Sequence, residues 1–136
     1  MITIVKQEKG QSLVEFALLI PIMLLLVIGT AEFGRAWMTR NILTGAAREA
    51  VRAAAVETQA NAYNSAQAIA DNVLASASIP ITFAADGIFD DSVNTPVPRV
   101  SVIITYNYSP IIAGLIPGLP ASFPLRGTAT MRRERY

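Results

Sequence analysis

The longest apolar stretch of the chain lies near its N-terminus and gives the first structural expectation. From Leu13 to Ala31 the sequence reads LVEFALLIPIMLLLVIGTA, and no charged residue follows Glu15 within it. A membrane-spanning helix needs about 20 consecutive, predominantly apolar residues. Pro21 lies inside the stretch, but membrane helices tolerate proline where neighbouring groups satisfy the carbonyl that it frees. We therefore expect a helix long enough to cross a bilayer.

The helical pattern continues beyond this stretch, which makes the predicted helix unusually long. Residues 32–57 contain no proline and are rich in alanine, the strongest helix former. A helix over residues 11–57 would be about 70 Å long at about 1.5 Å per residue. Gly29 and Gly34 are candidate helix-packing residues because glycine lets helices approach closely in lipid, and Pro21 is grouped with them. The glycines could equally line the inside of a small domain.

A second, shorter helix is predicted after a polar break. Residues 61–65 are polar and are expected to interrupt helical structure, whereas apolar side chains recur at helical spacing over residues 66–77. Ser78 and Pro80 are expected to end this helix. The chain should therefore leave its helical part shortly before residue 80.

The remaining residues show the patterns of strands and loops. Alternating apolar positions predict strands over residues 99–108 and 125–131, and residues 81–84 are a third, shorter candidate. Residues 85–98 contain an Asp-Gly pair and two prolines and are expected to form a loop, and residues 109–124 should be irregular. The expected fold class is α+β: a long N-terminal helix packed on a small antiparallel sheet of about three strands.

Composition removes several classes of function. The chain has no cysteine and no histidine, so disulfides, Cys/His zinc sites, cysteine nucleophiles and histidine bases are excluded. A formal net charge of +1 gives no electrostatic footprint for nucleic acid. Asp86, Asp90 and Asp91 lack the spacing of a calcium loop and are interpreted as a solvated acidic loop. We expect no enzyme activity, no metal and no cofactor.

Two groups of charged residues are expected to be exposed. Glu32 and Arg35 stand three residues apart at the end of the apolar stretch, where an exposed helix pair is favoured over an assembly contact. Arg132, Arg133 and Arg135 are expected to lie in a solvated terminus.

The sharpest motif of the sequence lies at the head of the apolar stretch. Gly10 precedes this stretch, and Glu15 follows five positions later as the only charge in residues 11–31. A charge inside the membrane costs about 2.5–3.5 kcal/mol on insertion scales, so Glu15 is expected to have a charged partner or a function. The motif reads GQSLVEF over residues 10–16.

This motif is similar to the processing site of type IV pilin-like proteins, in which a short leader ends in glycine and a glutamate is the fifth residue of the mature helix. The closer resemblance is to the TadE-like pseudopilins of tight-adherence (Flp) pilus systems. It rests on GQSLVEFA at residues 10–17, on Pro21, on AEFGR at 31–35, on AAREA at 46–50 and, more modestly, on ATMR at 129–132.

The resemblance implies cleavage between Gly10 and Gln11 by a membrane-embedded prepilin peptidase, and a role in processing and assembly for Glu15 and Phe16. Cleavage would create a new amino group at Gln11, with which Glu15 of a neighbouring subunit could pair. The alternative for Glu15 is that its side chain reaches the lipid headgroups. The implied organisation is a cleaved leader (1–10), a transmembrane assembly helix (11–31) and an extracytoplasmic α+β domain (32–136).

The implied function is that of a minor pilin or pseudopilin that takes part in assembling a Tad pilus for surface adherence. Major Flp pilins are little more than the hydrophobic helix, so the additional domain favours a minor subunit. The implied partners are the prepilin peptidase, other pilin and pseudopilin subunits and the pilus assembly platform. The implied location is the inner membrane, with a cytoplasmic N-terminus and an extracytoplasmic C-terminal domain, or a cell-surface pilus.

Two other interpretations remain open on the sequence. Lys6 and Lys9 could begin a secretory signal peptide that is cleaved after Ala31, which would release a soluble protein. The helix could also be a permanent single-pass anchor for a binding domain. The distribution of basic residues, counted alone, favours a cytoplasmic C-terminal domain, which is the opposite of what the resemblance implies. Lys6 and Lys9 precede the apolar stretch, and the basic residues that follow it are Arg35, Arg40, Arg48 and Arg52.

Overall fold

The computed structural model describes residues 8–92, 96–114 and 118–133. These residues form three α-helices and a three-stranded antiparallel sheet in the order β1-β2-β3, which confirms the α+β fold. Most of the predicted leader (residues 1–7) and Arg135 lie outside the described residues. The elements are α1 (Glu8–Val56), α2 (Gln59–Ser76), α3 (Phe83–Asp86), β1 (Gly87–Ser92), β2 (Arg99–Tyr108), a 3₁₀ turn (Ile111–Gly114) and β3 (Phe123–Arg132).

Helix α1 has two parts with different surroundings. Every residue from Gly10 to Val27 is exposed, and the helix passes Pro21 without a break. The second part contributes a buried stripe with helical periodicity, in which small alanines allow close packing against α2 and the sheet. The stripe consists of Leu43, Ala46, Ala47, Ala50, Val51 and Ala54. The apolar N-terminal part therefore projects from a small folded domain.

Helix α2 begins earlier than its sequence pattern predicts. The carbonyl of Thr58 accepts hydrogen bonds from the amides of Asn61 (3.0 Å) and Ala62 (2.9 Å), so the chain turns before residue 59. The expected break at residues 61–65 is therefore wrong. Ala62 begins a buried stripe facing α1, and this packing outweighs the weak helix propensity of the polar residues beside it.

The sheet confirms the two alternating segments as strands. Val100, Val102 and Ile104 on the central strand β2 are fully buried in the core. The final strand β3 starts at Phe123, two residues earlier than predicted, and includes Pro124. Proline is tolerated there because β3 is an edge strand, where a missing N–H need not break a ladder.

The sequence prediction was wrong between residues 81 and 92. Residues 83–86 form the short helix α3 instead of a strand, and the Phe83 amide donates a hydrogen bond to Asp71 Oδ1 (2.6 Å). Residues 87–92 form β1 instead of a loop, because they pair along β2, with Phe89 opposite Val102. Local turn signals were outweighed by this long-range pairing.

Contacts along α1 fix the direction of the sheet. Gly127 in β3 lies so close to the backbone of Leu43 that a Cβ atom there would overlap it. The Tyr108 end of β2 reaches Glu32, whereas Arg133, just after β3, reaches Glu57. Strand β2 therefore runs antiparallel to α1, and the connection from β2 to β3 lies at the end of the domain nearest the exposed apolar helix.

Arg133 corrects the expectation of a solvated C-terminal arginine cluster. Its side chain is buried, forms an ion pair with Asp91 of β1 and donates a hydrogen bond to the Glu57 carbonyl (2.7 Å). Asp91 is thereby part of the domain and not of a solvated acidic loop. Arg132, by contrast, is exposed as expected.

Candidate functional site

The proposed processing and assembly residues occupy one exposed end of α1. Gly10, Gln11, Glu15 and Phe16 are all exposed, with Phe16 at 60%. Gln11 Nε2 donates a hydrogen bond to Glu15 Oε1 (3.2 Å) across one helical turn. The carboxylate is therefore presented about 6 Å along the helix axis from Gln11, at about 1.5 Å per residue.

The three candidate helix-packing residues do not share one environment. Pro21 and Gly34 are exposed, and a Cβ atom at Gly34, as at Gly29, would meet nothing within 4 Å. Gly29 is half-buried and borders the domain. The structure therefore places Gly29 beside the domain and leaves Pro21 and Gly34 open for contacts with other molecules.

Glu32 is buried, which the sequence analysis did not anticipate. Its residue exposure is only 6%, and its carboxylate accepts hydrogen bonds from the Tyr108 hydroxyl (2.8 Å) and from Arg35 Nη1 (2.8 Å). The expectation that the Glu32–Arg35 pair is exposed is therefore wrong for Glu32, although the pair itself forms. The sequence signal that was missed is a tyrosine at the end of β2, 76 residues away, which can reach a carboxylate at the end of the apolar stretch.

The two hydrogen bonds also set the electrostatics of this cluster. The Tyr108 hydrogen bond is the largest influence that lowers the pKa of the Glu32 carboxyl; burial opposes it, and Arg35 adds to it. Burial raises the pKa of the Tyr108 hydroxyl, and the neighbouring carboxylate raises it further. The Arg35 guanidinium lies over the Tyr108 ring, 5.8 Å from its centre. The cluster thus ties α1 to the sheet through a charged carboxylate.

Replacing Tyr108 with phenylalanine should loosen this attachment. The variant removes a donor to Glu32, and a buried acceptor without its partner is destabilising. We expect the thermal unfolding midpoint of the full chain in detergent, followed by circular dichroism, to fall by several degrees at pH 7. Because the folded-state pKa of Glu32 is lowered, its stabilisation is present above its unfolded pKa and disappears as pH falls through the folded value.

The matched control is Tyr106→Phe, since Tyr106 lies on the same strand and is only half-buried. It should unfold within a degree or two of the parent chain. Equal midpoints for the two variants at neutral pH, or a difference that persists in acid, would contradict the assigned role of Tyr108.

An apolar groove of about 430 Å³ lies beside this cluster. One wall lies at the end of the domain nearest the exposed helix and includes Pro110, Ile112, Leu119 and Phe123. The other wall is formed by α1. The rings of Phe33 and Trp37 stack in the groove, 6.2 Å apart. On α1 a single face lines the groove: Gly29, Glu32, Phe33, Ala36, Trp37 and Arg40.

The acidic residues that the structure describes include no group of three close enough to hold a metal ion. Helix α1 is long and apolar enough to cross a membrane, and the apolar window within it is entirely unburied. The arrangement therefore offers two surfaces for recognition: the exposed end of α1 and the groove at the base of the domain.

The sequence model of the family described as TadE-like protein matches residues 10–52. This confirms the resemblance for the segment that contains Gly10, Gln11 and Glu15, and it extends through Arg40 on the helix side of the groove. The weaker resemblance at residues 129–132 lies outside the matched segment. No curated protein and no solved structure matches the chain.

Proposed function

We propose, from the premise that this chain is TadE-like and related to Tad pilus systems, that it is a minor pilin. In this proposal a prepilin peptidase cleaves it after Gly10. The mature chain, from Gln11, then enters the pilus or its assembly complex through the exposed end of α1.

The observation that carries the proposal is a single charged carboxylate on an exposed apolar helix. Every residue of Gly10–Val27 is exposed, although most are apolar, so this segment requires a membrane or other helices around it. Glu15 is the only charge in residues 11–31. A new amino group at Gln11 of a neighbouring subunit would give that charge a partner and would fix the relative position of the two helices.

The domain supports a minor rather than a major subunit. It has its own core, made by the second part of α1, by α2 and by the sheet. A subunit of this kind adds a folded head to a helix that by itself would suffice for assembly. We propose an inner-membrane location before assembly, with the domain on the extracytoplasmic side.

A secretory signal peptide cleaved after Ala31 is the main alternative, and the packing speaks against it. Ile28 and Gly29 are half-buried, and Gly29 lines the groove together with residues that follow Ala31. Cleavage after Ala31 would cut α1 inside the part that lies against the domain. A permanent anchor is compatible with the same packing and is separated from the proposal by experiment.

The experiment is a search for the chain in the filament. Pili are sheared from cells that carry the complete system and from cells that lack the assembly ATPase, and their subunits are quantified by mass spectrometry. We expect the mature chain in the sheared fraction of the first strain alone, at a small fraction of the amount of the major pilin. Recovery only in the membrane fraction of both strains would favour the permanent anchor.

A further inference from the structure

The groove, at the end of the domain nearest the exposed helix, would lie at the membrane surface if the exposed part of α1 crosses the bilayer. The exposed segment Gly10–Val27 covers about 27 Å at about 1.5 Å per residue, whereas a hydrocarbon core is about 30 Å thick. If this segment crosses the bilayer, Gly29 and Phe33 lie close to the boundary between hydrocarbon and headgroups. In that case the groove opens where acyl chains and phosphates meet.

The lining of the groove suits a phospholipid at this depth. Phe33 and Trp37 remain 70% and 54% exposed although they line it, so a large aromatic surface is left for an apolar ligand. Aromatic side chains of this type are enriched at membrane interfaces. The volume of about 430 Å³ falls within the range of small-molecule sites, about 300–1,000 Å³.

Arg40 supplies a charge at the far end of the groove from Gly29. The two residues are separated by about 16 Å along α1 at about 1.5 Å per residue. Arg40 is the arginine that lines the groove among the described residues, and, like Arg48, it forms no ion pair with another described residue. A guanidinium is well suited to a phosphate.

We propose that this groove binds one phospholipid of the extracytoplasmic leaflet, with an acyl chain against Phe33 and Trp37 and its phosphate at Arg40. The proposal rests on the membrane-crossing helix of the proposed function and is independent of cleavage and of filament assembly. The bound lipid would cover the aromatic surface and hold the domain against the membrane.

A second copy of the chain is the competing occupant. Lipid is favoured because the groove is continuous with the exposed apolar segment: its helix wall begins at Gly29, two residues after Val27. Any membrane around that segment therefore brings lipid to the groove opening before a second protein is present. The test is designed to separate the two occupants.

Trp37 is the single tryptophan of the chain and reports directly on the groove. The full chain is reconstituted at one copy per nanodisc in phosphatidylethanolamine and phosphatidylglycerol, either unlabelled or brominated near the headgroup end of the acyl chains. We expect brominated lipid to remove more than half of the Trp37 emission. Insertion is measured in the same discs from the protection of α1 against protease.

Two pairs of variants distinguish a lipid in the groove from general contact with the bilayer. Ala36→Phe fills the groove and should abolish most of the quenching, whereas Ala31→Phe, at an exposed position outside the groove, should not. Arg40→Gln should weaken the quenching by brominated phosphatidylglycerol, whereas Arg48→Gln should leave it unchanged. Each variant is compared with itself in unlabelled lipid.

Three results would overturn the proposal. Equal quenching in the Ala36→Phe and Ala31→Phe variants would mean that Trp37 touches bulk lipid. Little quenching at one copy per disc, with a blue-shifted Trp37 emission only at two copies, would identify a second chain as the occupant. Failure of α1 to insert would contradict both the lipid proposal and the membrane-crossing part of the proposed function. Loss of processing alone would contradict the proposed function but not the lipid proposal.

Discussion

Replacing Glu15 with glutamine is expected to leave the chain inserted in the membrane but to remove it from the pilus. The substitution keeps the size and the hydrogen-bonding capacity of the side chain and removes only its charge. If Glu15 pairs with the amino group of Gln11 on a neighbouring subunit, the substitution removes this ion pair and leaves that amino group without its partner. We expect at least about tenfold less chain in sheared pili, equivalent to about 1.4 kcal/mol.

Glu49→Gln is the matched control for this experiment. Glu49 lies on the same helix and is exposed, with an arginine partner 3.9 Å away at Arg52, where an ion pair contributes little. The control should assemble like the parent chain. Normal assembly of the Glu15→Gln variant would contradict the pairing and would favour a carboxylate that merely reaches the headgroups.

Replacing Arg133 with methionine is expected to have the largest effect on stability. Methionine keeps the apolar stem but leaves the largely buried carboxylate of Asp91 without its cation and the Glu57 carbonyl without this donor. Removing one partner of a buried ion pair costs about 3–5 kcal/mol. This is a large fraction of the stability of a small domain, so the full chain in detergent should unfold at a markedly lower denaturant concentration.

Arg132→Met provides the control at the neighbouring position, where the side chain is exposed. Its unfolding midpoint should stay close to that of the parent chain. If both arginine variants unfold alike, the attachment of the chain end to β1 and to the end of α1 does not contribute to stability as described.

The elements that could be predicted from the sequence are those with a long hydrophobicity pattern contained within a single segment. Helix α1 follows from one apolar stretch and the alanine-rich segment after it, and β2 and β3 follow from uninterrupted alternation. The proposed processing residues were also recognised locally, since Gly10 and Glu15 form a compact motif at the head of the helix. These patterns need no knowledge of distant partners.

The elements that were missed depend on partners far along the chain. Strand β1 contains aspartates and a glycine, which favour a turn, and becomes a strand only because β2 pairs with it. Arg133 reaches Asp91 across 42 residues, and Tyr108 reaches Glu32 across 76. The groove was not predictable, because its two walls meet only after the sheet has packed along α1.

Processing of the chain as a pilin can be measured from the intact mass of the membrane-extracted product. The chain is expressed with and without the prepilin peptidase of its own system. We expect a product that begins at Gln11 when the peptidase is present and an uncut chain when it is absent. A product that begins at Glu32 in both strains, or a chain that stays uncut in both, would contradict this expectation.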